Sequence, residues 1–262
     1  MGTTFLGLSI LAVLTAVLGR VVARVVRVKW LDRSHPDVLP LHAALGTAVL
    51  TCLCATCSHA GLGQSSAIWP VAGICAVLAL WAVRRAAPRR TPSGGRGLAW
   101  LPLTVAIGAA VIAGLLPVVC FNSFNTLNDA FFYNAAADWL ARHGVSETAP
   151  RDPMCPALAI VRELQVTGHR LGSSYLQAFV AAALRIPYSL FVFYAVSCWG
   201  FILLAASAFC LGRQVFRLSP WLCTAAVCTM VCIPAGNGQA LQAGFQAQLY
   251  GLSAIIAILN PP

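Results

Sequence analysis

The chain has 262 residues, 59% of them hydrophobic and only 9% charged, with a formal net charge of +10. Soluble domains carry roughly a quarter charged residues, so there is too little polar surface here to coat a water-soluble globule of this size. The positive charge does not point to nucleic acid either: the cations flank apolar runs, and no aromatic residues interleave with them as stacking platforms for bases.

Apolar runs of about 18 residues or more recur, the length a helix needs to cross about 30 Å of hydrocarbon. The ten-residue alternating segments of a membrane barrel are missing. The expected fold class is all-α, a polytopic transmembrane helix bundle of about seven spans with an external loop of short interfacial helices. The whole chain reads as one membrane domain. Residues 1–97 supply three spans and a basic linker, and residues 98–262 the rest.

The first span is expected over residues 4–26. Its opening, MGTTFLG, lacks a basic n-region, and Arg20, Arg24, Arg27, Lys29 and Arg33 follow the apolar run. That pattern predicts a retained anchor with its N-terminus outside, not a cleaved signal peptide. Spans two and three are expected over residues 38–57 and 67–83. The linker RRAAPRRTPSGGRG follows, and its Pro, Gly, Ser and Arg content requires water. With both basic stretches in the cytoplasm, a fourth span over residues 98–121 exits on the outer face.

Residues 122–188 then form an external segment holding five of the seven acids (Asp129, Asp138, Glu147, Asp152, Glu163), balanced by five arginines. Short helices are expected over residues 129–143, 156–167 and 172–185. The last is apolar but covers only about 21 Å, which favours a helix lying along the interface over a crossing. The next span, residues 189–211, then runs inward and leaves Arg213 and Arg217 in the cytoplasm. A sixth span covers residues 220–233, and a seventh starts near Gln246 and is cut short at Asn260-Pro261-Pro262. Such an ending suggests the N-terminal part of a longer protein.

Ten of the eleven cysteines sit in or beside apolar runs. The Cys54-x-x-Cys57 pair is surrounded by Leu, Ala, Val and Thr, so helix packing is its expected role, not a redox or zinc site. No metal or cofactor is expected.

Asp129 is the leading site candidate. It follows the fourth span by about eight residues, near the headgroups, and it opens a helix, where a carboxylate also serves as a cap. The stretch NDAFFYNAAADWLARHG resembles the first external loop of GT-C fold glycosyltransferases, which take sugars from polyprenyl-phosphate donors. Asp129, Tyr133, Trp139-Leu140 and Gly144 carry the resemblance, with RLGSSYLQAFVAAALRIP similar to the interfacial helix that follows in that superfamily.

The resemblance implies that Asp129 is the catalytic base, accepting a proton from the attacking hydroxyl. Tyr133, Arg142, Arg170 and Gln246 are the expected substrate contacts, with cations stabilising the leaving phosphate. Arg151 and Arg162 are further cations of the loop, and His143 and His169 are candidate proton carriers. The chain departs from the superfamily in having three extra spans before this signature and in two further places. The next external loop, PAGNGQALQAGFQAQ, has no acid, and Gly172-Ser173-Ser174 stands where a Pro pair is common.

The expected partners are membrane lipid and a lipid-linked sugar donor, not nucleic acid. Sixteen Arg against one Lys, with abundant Ala and Gly, points to a G+C-rich bacterium and its plasma membrane. A non-enzymatic envelope scaffold stays open as an alternative. A transporter or flippase is less favoured, because the spans carry no ionisable residues away from their ends.

Overall fold

The computed structural model describes residues 2–25, 39–84, 100–121, 128–167 and 171–232. Among these, the chain is all-α: α1 (Gly2–Val25), α2 (Leu39–His59), α3 (Gln64–Arg84), α4 (Trp100–Phe121), α5 (Asn128–Arg142), α6 (Pro156–Thr167), α7 (Gly172–Ala183), a single 3₁₀ turn (Ser189–Val192), α8 (Phe193–Gln214) and α9 (Pro220–Cys232). Three helical stretches are long and apolar enough to cross a bilayer: Gly2–Val25, Leu39–His59 and Ser189–Gln214. They mark the chain as an integral membrane protein. The remaining expected spans fall on α3, α4 and α9, whose described apolar stretches are shorter. The seventh expected span lies outside the described residues.

Side-chain contacts fix the direction of each helix. Thr3 Oγ1 donates to the Phe191 carbonyl at 3.5 Å, so α1 and α8 start at the same end of the bundle. A Cβ on Gly7 would lie 2.9 Å from that of Ala195, which keeps the two helices side by side. Helix α2 runs back against α1 at a reciprocal glycine crossing. A Cβ on Gly19 would collide with the His42 carbonyl, and one on Gly46 with the Thr15 carbonyl. Only glycine permits backbones to approach so closely, the device by which membrane helices associate without a hydrophobic driving force.

Helix α4 runs opposite to α8, because Gly114 lies against Cys198 while Leu103 and Phe209 share the cluster at the other end. Thr224 Oγ1 donates to the Pro102 carbonyl at 2.8 Å and ties the start of α9 to the start of α4. One end of the bundle thus gathers the starts of α1, α3 and α8 and the end of α2, capped by α5–α7. The opposite end carries Arg20, Arg24, Arg84, Arg213 and Arg217 on or just beyond the last turns of α1, α3 and α8. Exposed tryptophans mark both levels, with Trp69 near the capped end and Trp100 and Trp221 at the opposite one.

Helix α8 is the spine. Val196, Trp199 and Leu203 join the larger core cluster, with residues of α1, α2, α5 and α7. Phe201, Leu204, Ala205 and Phe209 join the second, with α4 and α9. At 100° per residue these two sets fall on opposite faces, so the helix is apolar all round.

Helix α7 narrows one expectation, that a short helix here turns toward lipid or the bundle. It is not a crossing, being about 18 Å long. Nor does it present an apolar face to lipid: Ser173 to Ala181 are buried without a break. Ser, Ala and Gly leave little side chain between α7 and its neighbours, so α2, α3 and α5 close around it. The helix is capped by Leu184, and Arg185 after it, with φ of 54°, turns the chain in the left-handed region just before Pro187.

Candidate functional site

The capped end is held by backbone contacts that need small residues. Leu62, in the α2–α3 turn, pairs with His143 in an antiparallel bridge. A Cβ on Gly63 would collide with the Arg142 backbone, and one on Gly144 would lie 2.7 Å from Gly61 Cα. Val145 N–H donates to the Ser58 carbonyl at 3.1 Å and to Ser58 Oγ at 2.9 Å. Gln165, on α6, closes the loop: its Nε2 donates to the carbonyls of Val145 (3.1 Å) and Glu147 (2.8 Å), and its Oε1 accepts from Ala149 N–H. Gly144, part of the family-like pattern, therefore also has a packing reason to be glycine.

A second polar cluster joins α5 to α7 and the 3₁₀ turn. Gln177 Nε2 donates to Asn134 Oδ1 and, at 2.9 Å, to the Ser189 carbonyl. Asp138 Oδ1 accepts from Ser189 N–H at 2.6 Å, and Ser174 Oγ donates to the Tyr133 carbonyl at 3.0 Å. Asn134, Ser174, Gln177 and Ser189 are all buried. Gln177 Oε1 and Ser173 Oγ, one turn apart on α7, are buried without a hydrogen-bond partner among the described residues. Burial also raises the Tyr175 phenol above its ordinary value, an effect offset in part by its hydrogen bond to Ser58.

The sequence candidates are spread along this cap. Asp129 is the second residue of α5, as expected for a helix start; its side chain lies outside the described residues. Tyr133, one turn on, is half-buried. Arg142 is exposed at the far end of α5, thirteen residues and about 20 Å along the helix from Asp129, too far to share a compact site with it. Arg170 and Gln246 lie outside the described residues, as does His169. His143 stacks on Trp139 with ring centroids 3.8 Å apart, and its Nδ1 lies 2.8 Å from Glu147 Oε1. Arg151 and Arg162 come together with Asp152 and Glu163 along a groove of about 480 Å³ beside α6.

Sequence reasoning missed Asn134, Gln177 and Ser189. The available signal covered Gln177 alone: with Ser173 and Ser174 it is polar inside the apolar run SSYLQAFVAAALRI, and a buried helix must satisfy such groups internally. Among the described residues no three His, Cys, Asp or Glu side chains gather as a metal site would require. No protein-family model, curated protein or solved structure matches the chain.

Proposed function

We propose that the chain is a membrane glycosyltransferase-like protein of about seven spans that takes a sugar from a polyprenyl-phosphate donor at the outer face of a bacterial plasma membrane. Supporting this orientation, the helix-terminal arginines of α1, α3 and α8 share one end of the bundle while the acid-bearing α5–α6 segment sits at the other. Supporting further spans, α3 and α4 hold 21 and 22 residues, enough for about 32 Å each. Their tryptophans, with that of α9, fall at the two levels expected of aromatic belts.

The observation that carries the enzymatic reading is Asp129 in the first turn of α5, eight residues after the end of α4. In the proposed reaction an acceptor hydroxyl loses its proton to the Asp129 carboxylate as its oxygen bonds to the anomeric carbon. The bond from that carbon to the phosphate oxygen breaks, and polyprenyl phosphate departs. Tyr133, Arg170 and Gln246 hold the donor, while Arg142, about 20 Å along α5 from Asp129, stands apart from that acid.

The test is Asp129→Asn in proteoliposomes supplied with a radiolabelled polyprenyl-phosphate sugar. A lost cap costs about 1 kcal/mol, and Asn caps as well as Asp. A lost base costs about a hundredfold or more in rate. Transfer should therefore collapse while the melting midpoint stays put; an active Asn variant would reduce Asp129 to a cap. A non-enzymatic scaffold is the second reading. What favours it is that the buried polar groups of α5 and α7 bond to one another, with Arg142 a helix length away from Asp129. On that reading the wild type transfers nothing.

A further inference from the structure

The groove beside α6 runs along the face opposite the buried Val161 and Leu164, between that helix and residues 151–153. We propose that it binds the headgroup of a zwitterionic aminophospholipid, with the phosphate between Arg151 and Arg162 and the primary ammonium on Glu163.

Three observations carry this. First, both guanidinium groups and the Glu163 carboxylate line one cavity, yet none of the three has an ion-pair partner among the described residues. Asp152 is partly engaged, since its Oδ1 accepts from Met154 N–H at 2.9 Å, which leaves Glu163 as the freer acid. Second, the lining holds two positive and two negative charges. A simple phosphate would gain from the arginines but meet repulsion from Asp152 and Glu163, whereas a zwitterion meets opposite charge at both ends. Third, apolar side chains line the groove beside the charges: Pro153, Ala159 and Val166, the last 76% exposed. Water is a poor neighbour for them; the upper part of an acyl chain is a good one.

The groove also lies on the side of the bundle where α2 ends. Helix α6 is two hydrogen bonds from the end of α2: Gln165 Nε2 donates to the Val145 carbonyl, and Val145 N–H donates to Ser58 Oγ, one residue before α2 ends. The headgroup layer outside the hydrocarbon, about 6 Å thick on each side, is where the proposal sets the groove. The proposal rests on α2 crossing the membrane and not on sugar transfer, so a wild type that transfers no sugar leaves it intact.

The test is calorimetric titration of the detergent-solubilised full chain with dihexanoyl-phosphatidylethanolamine, -phosphatidylcholine and -phosphatidylglycerol, and with phosphoethanolamine. A quaternary ammonium cannot donate a hydrogen bond to Glu163. Phosphatidylethanolamine should therefore bind about tenfold tighter than phosphatidylcholine, the factor expected for one charge-assisted hydrogen bond. Glu163→Gln should bring phosphatidylethanolamine down to the phosphatidylcholine level and weaken phosphatidylcholine much less, since choline loses charge attraction but no hydrogen bond. Arg151→Gln with Arg162→Gln should weaken both lipids by about tenfold or more. These are surface changes, and unchanged melting midpoints would establish that the variants are folded. Equal binding of the ethanolamine and choline lipids, tightest binding of phosphatidylglycerol, or wild-type affinity in the arginine variant would overturn the proposal. So would phosphoethanolamine binding as tightly as the lipid, which would assign the groove to a soluble ligand.

Discussion

On one face of α8, Val196, Trp199 and Leu203 meet a region built on backbone contact and directed hydrogen bonds. There α1 and α2 touch at Gly19 and Gly46, Trp199 Nε1 donates to Thr47 Oγ1 at 3.0 Å, and Gln177 links α5, α7 and the 3₁₀ turn. On the opposite face, Phe201, Leu204, Ala205 and Phe209 meet α4 and α9 mainly through side-chain bulk, the exceptions being Gly114 against Cys198 and Thr224, which ties α9 to the Pro102 carbonyl. The difference teaches how a helix is positioned in lipid. Apolar side chains pack against a neighbouring helix little better than against acyl chains. Bulk holds helices together without choosing a register, whereas a glycine contact or a bonded glutamine admits one alignment.

The largest effect should come from breaking the glycine crossing. Gly46→Leu pushes a side chain into the Thr15 carbonyl and should cost more than about 4 kcal/mol, so that no folded monomer survives extraction. The matched change on the other side of the bundle, Gly108→Leu in α4, has nothing within 4 Å of its Cβ and should shift stability by less than about 0.5 kcal/mol. Size-exclusion profiles and unfolding in mixed detergent–SDS micelles would read both; equal behaviour of the two variants would end the comparison.

Next in size is the bulk-packed face. Phe209→Ala opens a cavity at a fully buried ring and should cost about 3 kcal/mol. Phe209→Leu keeps most of the volume and should cost under about 1.5 kcal/mol. A cost for the leucine variant as large as that for alanine would mean that this face, too, demands one shape.

The smallest effect sharpens the polar side. Gln177→Leu leaves Asn134 Oδ1 and the Ser189 carbonyl without that donor and should cost about 1–2 kcal/mol. Adding Asn134→Leu should recover part of the loss, because both partners of one bond are then gone. If the double variant loses the sum of the two single losses, the two residues act independently.

Much of the helix order was legible in the sequence, because apolar runs and punctuation are local signals. Residues 156–167 were expected as a helix and form α6, opened by Pro156, whose missing N–H costs nothing there. Spans one to four each fall within three residues of α1 to α4 at either end. The surroundings of α7 were not legible. Its composition suits a lipid interface as well as a crowded interior, and only α2, α3 and α5, which close around it, decide between them. The candidate site divides in the same way. The start of α5 near Asp129 follows from local signals, whereas the distance to Arg142 follows from the helix being unbroken over fifteen residues.

The Thr47–Trp199 hydrogen bond has a consequence for the order of synthesis. The two residues are 152 positions apart, so at bacterial or eukaryotic elongation rates Thr47 waits on the order of ten seconds or more for its partner. During that wait its hydroxyl has an occupation: it donates to the Ala43 carbonyl at 2.8 Å, one turn back on its own helix. When Trp199 arrives, the indole N–H takes the lone pair that the hydroxyl oxygen still offers. A threonine at this position thus lets α2 rest in lipid with its proton satisfied while keeping an acceptor open for a helix not yet made.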